Sequence, residues 1–280
     1  MSDKILKPWS IIMNRHPFLN LILLGIVAIF NLQPLLAQGP SEGKVLMAIF
    51  AHPDDEMTVG PMLVKYVDEG AKVYLVVCTD GRYGTNDFSG LEGGDSLVKI
   101  REAEMQCAAD ALGVTLIHLD YHDQLRAGEG YDGHMPHVKS LIAELEQLIS
   151  DKKPDVLVTW GPDGGSTHMD HRLVGASVNQ IFVSKVWDKP SKLYFVGTPA
   201  SQIEDPAQKL LAGVDPKFLN TRVAYSKEDL DKAMTSLACH KSQIRPEDIE
   251  RIKENRQKSG LQIHLREFVG PEKTRTSIFE

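Results

Sequence analysis

Cysteine is scarce: Cys78, Cys107 and Cys239 are the three in 280 residues, and they form no C-x-x-C pair. An odd number so widely spaced argues against a disulfide scaffold and against a cysteine-rich metal knot. Cys78 stands in a strand-like run and Cys107 on an amphipathic helical pattern, so both are expected as buried hydrophobes. Long basic runs are missing too. Lys and Arg number 31 against 38 Asp and Glu, a net charge of −7, and nothing in that balance neutralises a phosphate backbone, which excludes nucleic acid as a partner. There is no low-complexity tract and no internal repeat. With 42% hydrophobic and 25% charged residues, the chain has the make-up of a packed domain and not of a disordered or fibrous one.

No apolar run reaches the ~20 residues that a helix needs to cross hydrocarbon. The longest, over 18–30, follows Lys4, Lys7 and Arg15 and precedes Leu35-Leu36-Ala37, a small-residue site ahead of Gln38. Residues 1–37 therefore read as an export signal, with Met13 offering an alternative start, and a cleaved leader is favoured over a permanent membrane anchor. An exported, periplasmic or extracellular protein is expected. Removing Lys4, Lys7, Arg15 and Asp3 takes the net charge from −7 to −9, so the mature part is acidic and soluble. Residues 38–280 carry no Pro- or Ser-rich linker and are expected as one catalytic domain.

Short apolar, largely β-branched runs stand at 44–50, 72–78, 114–119, 155–160 and 193–196, the signature of buried parallel strands. Helical patterns lie between them at 57–69, 96–112, 137–151 and 171–186; the second is expected to start on the capping pair Asp95-Ser96 and to close at Gly113. A further helix is expected at 226–241, and the last forty residues give no clear pattern. Strand and helix in this alternation predict an α/β fold, a Rossmann-like three-layer sandwich with a mostly parallel sheet.

Such sheets bind ligands at the carboxyl ends of their strands, and the unusual residues of this chain fall there. The first strand is followed by Ala51-His52-Pro53-Asp54-Asp55-Glu56, the fourth by a glycine-rich segment ending Thr167-His168-Met169-Asp170-His171. A catalytic zinc needs about three imidazole or carboxylate ligands and an open position for water. His52, Asp55 and His171 supply that set for one Zn2+ per chain, and Pro53 helps to turn the chain so that His52 and Asp55 can converge. Asp54, not needed as a ligand, is the natural general base. His168 is placed to stabilise an oxyanion and to protonate a departing amine. Singly, each loop has a plainer reading: H-x-x-H pairs occur on exposed helix starts, and acids in a first helical turn complement the helix dipole.

Together the two strings resemble the signature motifs of the PIG-L or LmbE-like zinc deacetylases. The likeness extends to Arg101 and Glu104 in IREAEMQCAADALG, to Asp123 in LDYHDQ, and to His240-Lys241-Ser242-Gln243. It implies removal of an N-acetyl group from an N-acetylglucosamine-containing sugar or glycoconjugate, with the metal ligands, base and acid named above. It further implies that Arg101 and Asp123 hold sugar hydroxyls. On sequence alone Arg101 reads more readily as a solvated ion-pair partner on an acidic helix than as a ligand, and Asp123 reads also as an ordinary turn residue. His118, His122, His134 and His137 crowd one stretch, where a second metal is conceivable but a satisfied core position for His118 is the simpler reading. Tyr83, in the glycine-rich segment 80–94, is placed to gate the site.

The rivals fare worse. A dinucleotide-binding protein would carry G-x-G-x-x-G where the acidic turn stands, and two carboxylates there repel a pyrophosphate. Gly94-Asp95-Ser96-Leu97 mimics a GDSL esterase nucleophile, yet no histidine has an aspartate three residues before it. An exported, non-catalytic carbohydrate-binding protein and a metal-dependent amidase acting on a non-sugar amide stay open beside the deacetylase. The expected partner is a small-molecule or oligosaccharide substrate.

Overall fold

Every residue from Val45 to Phe50 is apolar, and in the computed structural model these six form a strand buried on both faces. The structure describes residues 39–279; the expected leader and the alternative start at Met13 lie outside them. In chain order the strands are β1 (Val45–Phe50), β2 (Lys72–Thr79), β3 (Thr115–Tyr121), β4 (Val156–Trp160), β5 (Lys192–Val196), the two-residue pair β6 (Thr198–Pro199) and β7 (Gly213–Val214), then β8 (Thr221–Ala224) and β9 (Gln262–Glu267). The helices are α1 (Gly60–Asp68), α2 (Asp95–Leu112), α3 (Tyr131–Lys152), α4 (Met169–Val183), α5 (Pro206–Ala212), α6 (Lys227–Leu237) and α7 (Pro246–Lys258). The main sheet has the order β3-β2-β1-β4-β5-β9-β8. Its first five strands are mutually parallel, and β9 and β8 extend it antiparallel.

The period of two along β1 feeds two separate cores. Leu46, Ala48 and Phe50 pack with α1, α2 and α6, whereas Met47, Ile49 and Ala51 pack with α3 and α4 on the opposite face. This is the three-layer sandwich the alternation implied, and it explains why the parallel strands read as continuous apolar runs: neither face meets water. The chain leaves β1 toward β2 on one side and returns to β4 on the other. The loops after β1 and β4 therefore face each other at the switch point of the sheet, where open α/β sheets form their crevice.

Three sequence expectations change. The second helix starts on Asp95 behind Gly94, with no side-chain cap, so Ser96 is not the cap; Gly113 closes it with φ 72° as expected. The third helix begins six residues early, at Tyr131, and carries Pro136 inside it. Cys107 is not a buried hydrophobe. It sits on the exposed flank of α2 and is disulfide-bonded to Cys239, 132 residues away, just past the end of α6. The packing face of α2 is Met105, Ala108 and Leu112, which leaves Cys107 at its side, within reach of the chain leaving α6. Cys78 is the buried free thiol that its strand position suggested. Alkylation of the unfolded, unreduced protein is expected to label Cys78 alone and to label all three cysteines after reduction; three labels without reductant would contradict the bond.

Candidate metal centre and active site

The turn after β1 is tight because Pro53 and the next residue reverse the chain: Asp54 has φ 105°, and the Asp55 N–H returns to the His52 carbonyl at 3.3 Å. A left-handed conformation at a non-glycine residue costs on the order of 1–3 kcal/mol and persists only where surrounding contacts fix it. Here Glu56 Oε2 accepts the Asp54 N–H at 3.0 Å, and the Arg101 guanidinium holds both the Pro53 carbonyl and Asp54 Oδ2, the latter at 2.9 Å. Glu56 is itself clamped by His240 Nε2 at 2.7 Å in a pair that is almost wholly buried.

On the facing loop, Gly165 adopts φ 61° and lies flat against the Trp160 ring, where a Cβ would come within 2.7 Å of ring carbon. This loop delivers His168 as the N-cap of α4, its Nδ1 accepting the Asp170 N–H, and places Asp170 and His171 in the first turn. Trp160 stacks on His171 with ring centroids 4.4 Å apart and planes 5° from parallel.

Three lone pairs meet between the loops because the second polar atom of each residue is already used. His171 Nδ1 lies 3.0 Å from the Gly164 carbonyl, which can only accept, so Nδ1 carries the proton and Nε2 is left free. His52 Nε2 faces Asp170 Oδ2 at 3.1 Å, leaving Nδ1. Asp55 Oδ2 accepts from the N–H groups of Ala51 and His52 and from the Trp160 indole, leaving Oδ1. His52 Nδ1 stands 3.1 Å from His171 Nε2, and His171 Nε2 stands 3.1 Å from Asp55 Oδ1. With ligand bonds of about 2.0–2.1 Å, a tetrahedral ion separates its donors by about 3.3 Å; these two separations are close to that, and His52 Nδ1 stands 3.7 Å from Asp55 Oδ2.

Electrostatics agree. Burial alone would lower the His52 pKa, yet the Asp170, Asp55 and Asp123 carboxylates outweigh it and raise the value to about 10. The cluster is short of positive charge at this point, which a proton or a cation can supply. Burial works against the Asp55 anion as well, but His171 and His52 hold its carboxyl well below the usual range. Asp54 goes the other way: burial lifts its pKa to about 6 against the pull of Arg101, with Asp55 and Glu56 adding to the rise. Burial and the neighbouring His52 and His171 depress that of His168.

Two donor triads have their ligand atoms mutually within 4.8 Å, His52 with His168 and His171, and His52 with Asp123 and Asp170. The second uses the edge of His52 that faces Asp170; its Asp123 oxygens are bonded elsewhere, whereas Asp170 Oδ1 is buried without a hydrogen-bond partner. Asp123 accepts from Thr79 Oγ1 at 2.7 Å and from the Tyr83 N–H at 2.9 Å, and Asp170 Oδ2 accepts from the Gln124 N–H.

All seven residues singled out in the sequence line one hollow of about 290 Å³, together with Tyr83, Gly84, Gln124, Asp170 and Gln243. Arg101 and Asp123 both touch it, and each is buried: Arg101 directs its two terminal nitrogens to the turn after β1 and to the Gly81 carbonyl while its Nε has no partner, and Asp123 accepts from Thr79 Oγ1 and the Tyr83 N–H. The other histidines do not gather: His118 bonds the Thr79 carbonyl, His122 that of Asp123 and His134 that of Leu125. Among the described residues they take part in no donor cluster. Sequence reasoning missed Asp170, Glu56 and Trp160. The signal was adjacency, since a ligating imidazole needs an acceptor for its other N–H and acids stood next to both motifs.

Fold and donor set thus define an α/β protein with a candidate His/Asp metal site at its topological switch point. The same region resembles a known family: residues 47–182 match the family model described as PIG-L: GlcNAc-PI de-N-acetylase. The chain is 34% identical over 143 residues to a 1D-myo-inositol 2-acetamido-2-deoxy-alpha-D-glucopyranoside deacetylase of Corynebacterium glutamicum, an alignment covering 46% of this chain and 49% of the relative. It therefore spans about half the length of the first curated relatives it matches. Among solved structures, the zinc-inhibited form of the teicoplanin deacetylase Orf2 superposes with a TM-score of 0.62 at 18% identity, covering 82% of this chain and 100% of the other. The 4-carboxy-2-hydroxymuconate hydratase GalB of Pseudomonas putida KT2440 superposes with 0.58 at 15% identity, covering 84% and 100%. The shared architecture hosts different reactions, so the reaction must be argued from the site.

Asp170, which orients His52, gives the test of this geometry. Asp170→Asn is expected to weaken zinc affinity about 10–100-fold, as loss of a carboxylate behind a ligating histidine commonly does. Competition against a chromophoric chelator reads it, and an unchanged affinity would contradict the assigned edge of His52.

Proposed function

We propose that the protein is a zinc-dependent N-deacetylase that hydrolyses the acetamide of an N-acetylglucosamine-containing sugar or glycoconjugate. His52 Nδ1, Asp55 Oδ1 and His171 Nε2 hold the ion, imidazole and carboxylate donors in tetrahedral spacing being what zinc takes. When bound, a divalent cation polarises the amide carbonyl and lowers the pKa of a water molecule toward neutrality.

The remaining work falls to the chain. Asp54 takes the proton of the attacking water; Arg101 fixes one of its oxygens, and its raised pKa of about 6 suits a base that must also release the proton near neutral pH. His168, N-capping α4 at the rim, donates a hydrogen bond to the carbonyl oxygen as charge builds on it. Asp54 then passes the proton it took from water to the amine as the C–N bond breaks, giving acetate and the free amino sugar; His168, with Nδ1 accepting and its pKa depressed, stays neutral as a hydrogen-bond donor. Arg101 and Asp123 act by positioning, the first on Asp54 and the second on Tyr83. The observation that carries the reading is the meeting of three unspent lone pairs one residue away from a desolvated carboxylate. Both deacetylases named above carry activities of this class, which adds support.

The enzyme is inferred to work outside the cytoplasm. The leader-like sequence over 1–37 supports this, and so does the Cys107–Cys239 bond, since structural disulfides persist in oxidising compartments. Substrates met there are cell-envelope glycans, chito-oligosaccharides or imported glycoconjugates.

Acetate release from a panel of N-acetylated sugars and N-acetylated amino acids tests the reaction and separates the sugar from the non-sugar amide. Asp54→Asn is expected to retain zinc while losing roughly 10²-fold or more in turnover. Undiminished turnover would remove Asp54 as the base.

A further inference from the structure

The stretch between α6 and α7, over 238–245, forms neither helix nor strand, yet four of its residues are tied to remote parts of the chain. Cys239 is bonded to Cys107 of α2. His240 Nε2 holds Glu56 Oε1 at 2.7 Å. Ser242 donates its N–H and its hydroxyl to the Glu104 carboxylate of α2, at 2.7 and 2.6 Å. Gln243 Nε2 donates to the Gly84 carbonyl at 2.8 Å and lines the hollow of the metal site. We propose that the Cys107–Cys239 disulfide positions the base Asp54, so that turnover responds to the redox state of this bond while metal and fold do not; the assignment rests on the deacetylase reading above.

Each link of the connection is a named contact. Asp54 stands in the left-handed region, with φ 105°, a conformation that neighbouring contacts must sustain. Its N–H is taken by Glu56 Oε2, and Glu56 is held by His240, the residue after Cys239. Its carboxylate is held by Arg101 of α2. Arg101, Glu104 and Cys107 follow one another at intervals of three along α2, which makes successive members surface neighbours on the helix. Both polar ends of Asp54 therefore lead to α2, one directly and the other through residues 239 and 240.

The bond is not what keeps the two helices together. Met105, Ala108 and Leu112 of α2 share one core with Leu230, Ala233 and Leu237 of α6. What the bond adds is a fixed place for residues 239 and 240, just beyond the last turn of α6. Cys107 lies on the exposed flank of α2 and Cys239 is 9% exposed, so a thiol from solvent can reach the pair. A dithiol opens it by attack of one thiolate on a sulfur, giving a mixed disulfide that the second thiol resolves. Two electrons and two protons pass to Cys107 and Cys239, which become thiols, and the dithiol becomes its own disulfide. With the link open, only the backbone and the Glu104–Ser242 pair hold the strap, and a shift on the order of 1 Å at a reacting group costs up to about 10²-fold in rate.

The test compares oxidised and phosphine-reduced wild-type protein with the double variant Cys107→Ser/Cys239→Ser on one N-acetylated sugar. Reduction is expected to lower kcat about tenfold or more and to leave KM within about twofold. Bound zinc and the circular dichroism spectrum are expected to stay unchanged, and reoxidation to restore the rate. The double variant should match the reduced protein and ignore the reductant. In Asp54→Asn, whose residual turnover no longer uses the base, reduction should change nothing, because two changes acting through one group do not add. A reduced protein that keeps its kcat, that loses its zinc or its fold, or that loses the same factor in Asp54→Asn would overturn the proposal. Hydrogen exchange separates this from the reaction itself: amides 54–57 are expected to lose protection on reduction, and those of α4 to keep it. A protein that releases no acetate but shows this loss keeps the positioning role and loses the reaction. Unchanged protection over 54–57 overturns the positioning role whatever the activity.

Discussion

The arrangement of the site depends on a single oxygen, Asp55 Oδ2, accepting three N–H groups from Ala51, His52 and Trp160. Three donors on one buried carboxylate oxygen compensate its desolvation and leave the other oxygen, 3.1 Å from His171 Nε2, as the one that a cation would meet. They also knit three parts of the fold together: the end of β1, the turn that follows it, and the end of β4. The Trp160 that donates to Asp55 is the ring on which His171 stacks, so the same contact that fixes one ligand sets the plane of another. Remove that hydrogen-bonded oxygen and the two loops lose their common reference, whatever the helices around them do.

Around this point the chain builds a support that is remote in sequence. Glu56 receives the strained Asp54 N–H and is held by His240, while one turn of α2 carries Arg101 onto Asp54 and Glu104 onto Ser242. Cys107 of α2 is bonded to Cys239, directly before His240. The disulfide thus joins the two segments that steady the acidic turn from opposite sides. A left-handed aspartate is sustainable there because a helix, a buried acid–imidazole pair and a covalent link all bear on it.

The sequence made some of this legible and hid the rest for identifiable reasons. β1, β2, β4 and β5 could be read because burial on both faces writes an unbroken apolar run. β8 and β9 could not, because TRVA and QIHLRE at the antiparallel edge mix charge with apolar residues. The strand order follows from right-handed crossovers and puts the two motif loops together, so the meeting of His52, Asp54, Asp55, His168 and His171 in one hollow could be expected before any coordinates. What each atom does was not recognisable. Which nitrogen of His52 is free is set by Asp170, and the buried engagement of Arg101 and Asp123 is set by backbone carbonyls and N–H groups that no spacing reveals. The Cys107–Cys239 pair was hidden likewise: three cysteines count as odd, and only the packing of α2 beside the end of α6 shows which two meet.

The central claim, that two distant loops close on one cation through His52, Asp55 and His171, is tested most directly by metal stoichiometry in the native protein and in His171→Ala. The account predicts about one equivalent of tightly held zinc per chain in the first and a large loss in the second, with the fold retained by circular dichroism. Full zinc occupancy in His171→Ala would contradict it.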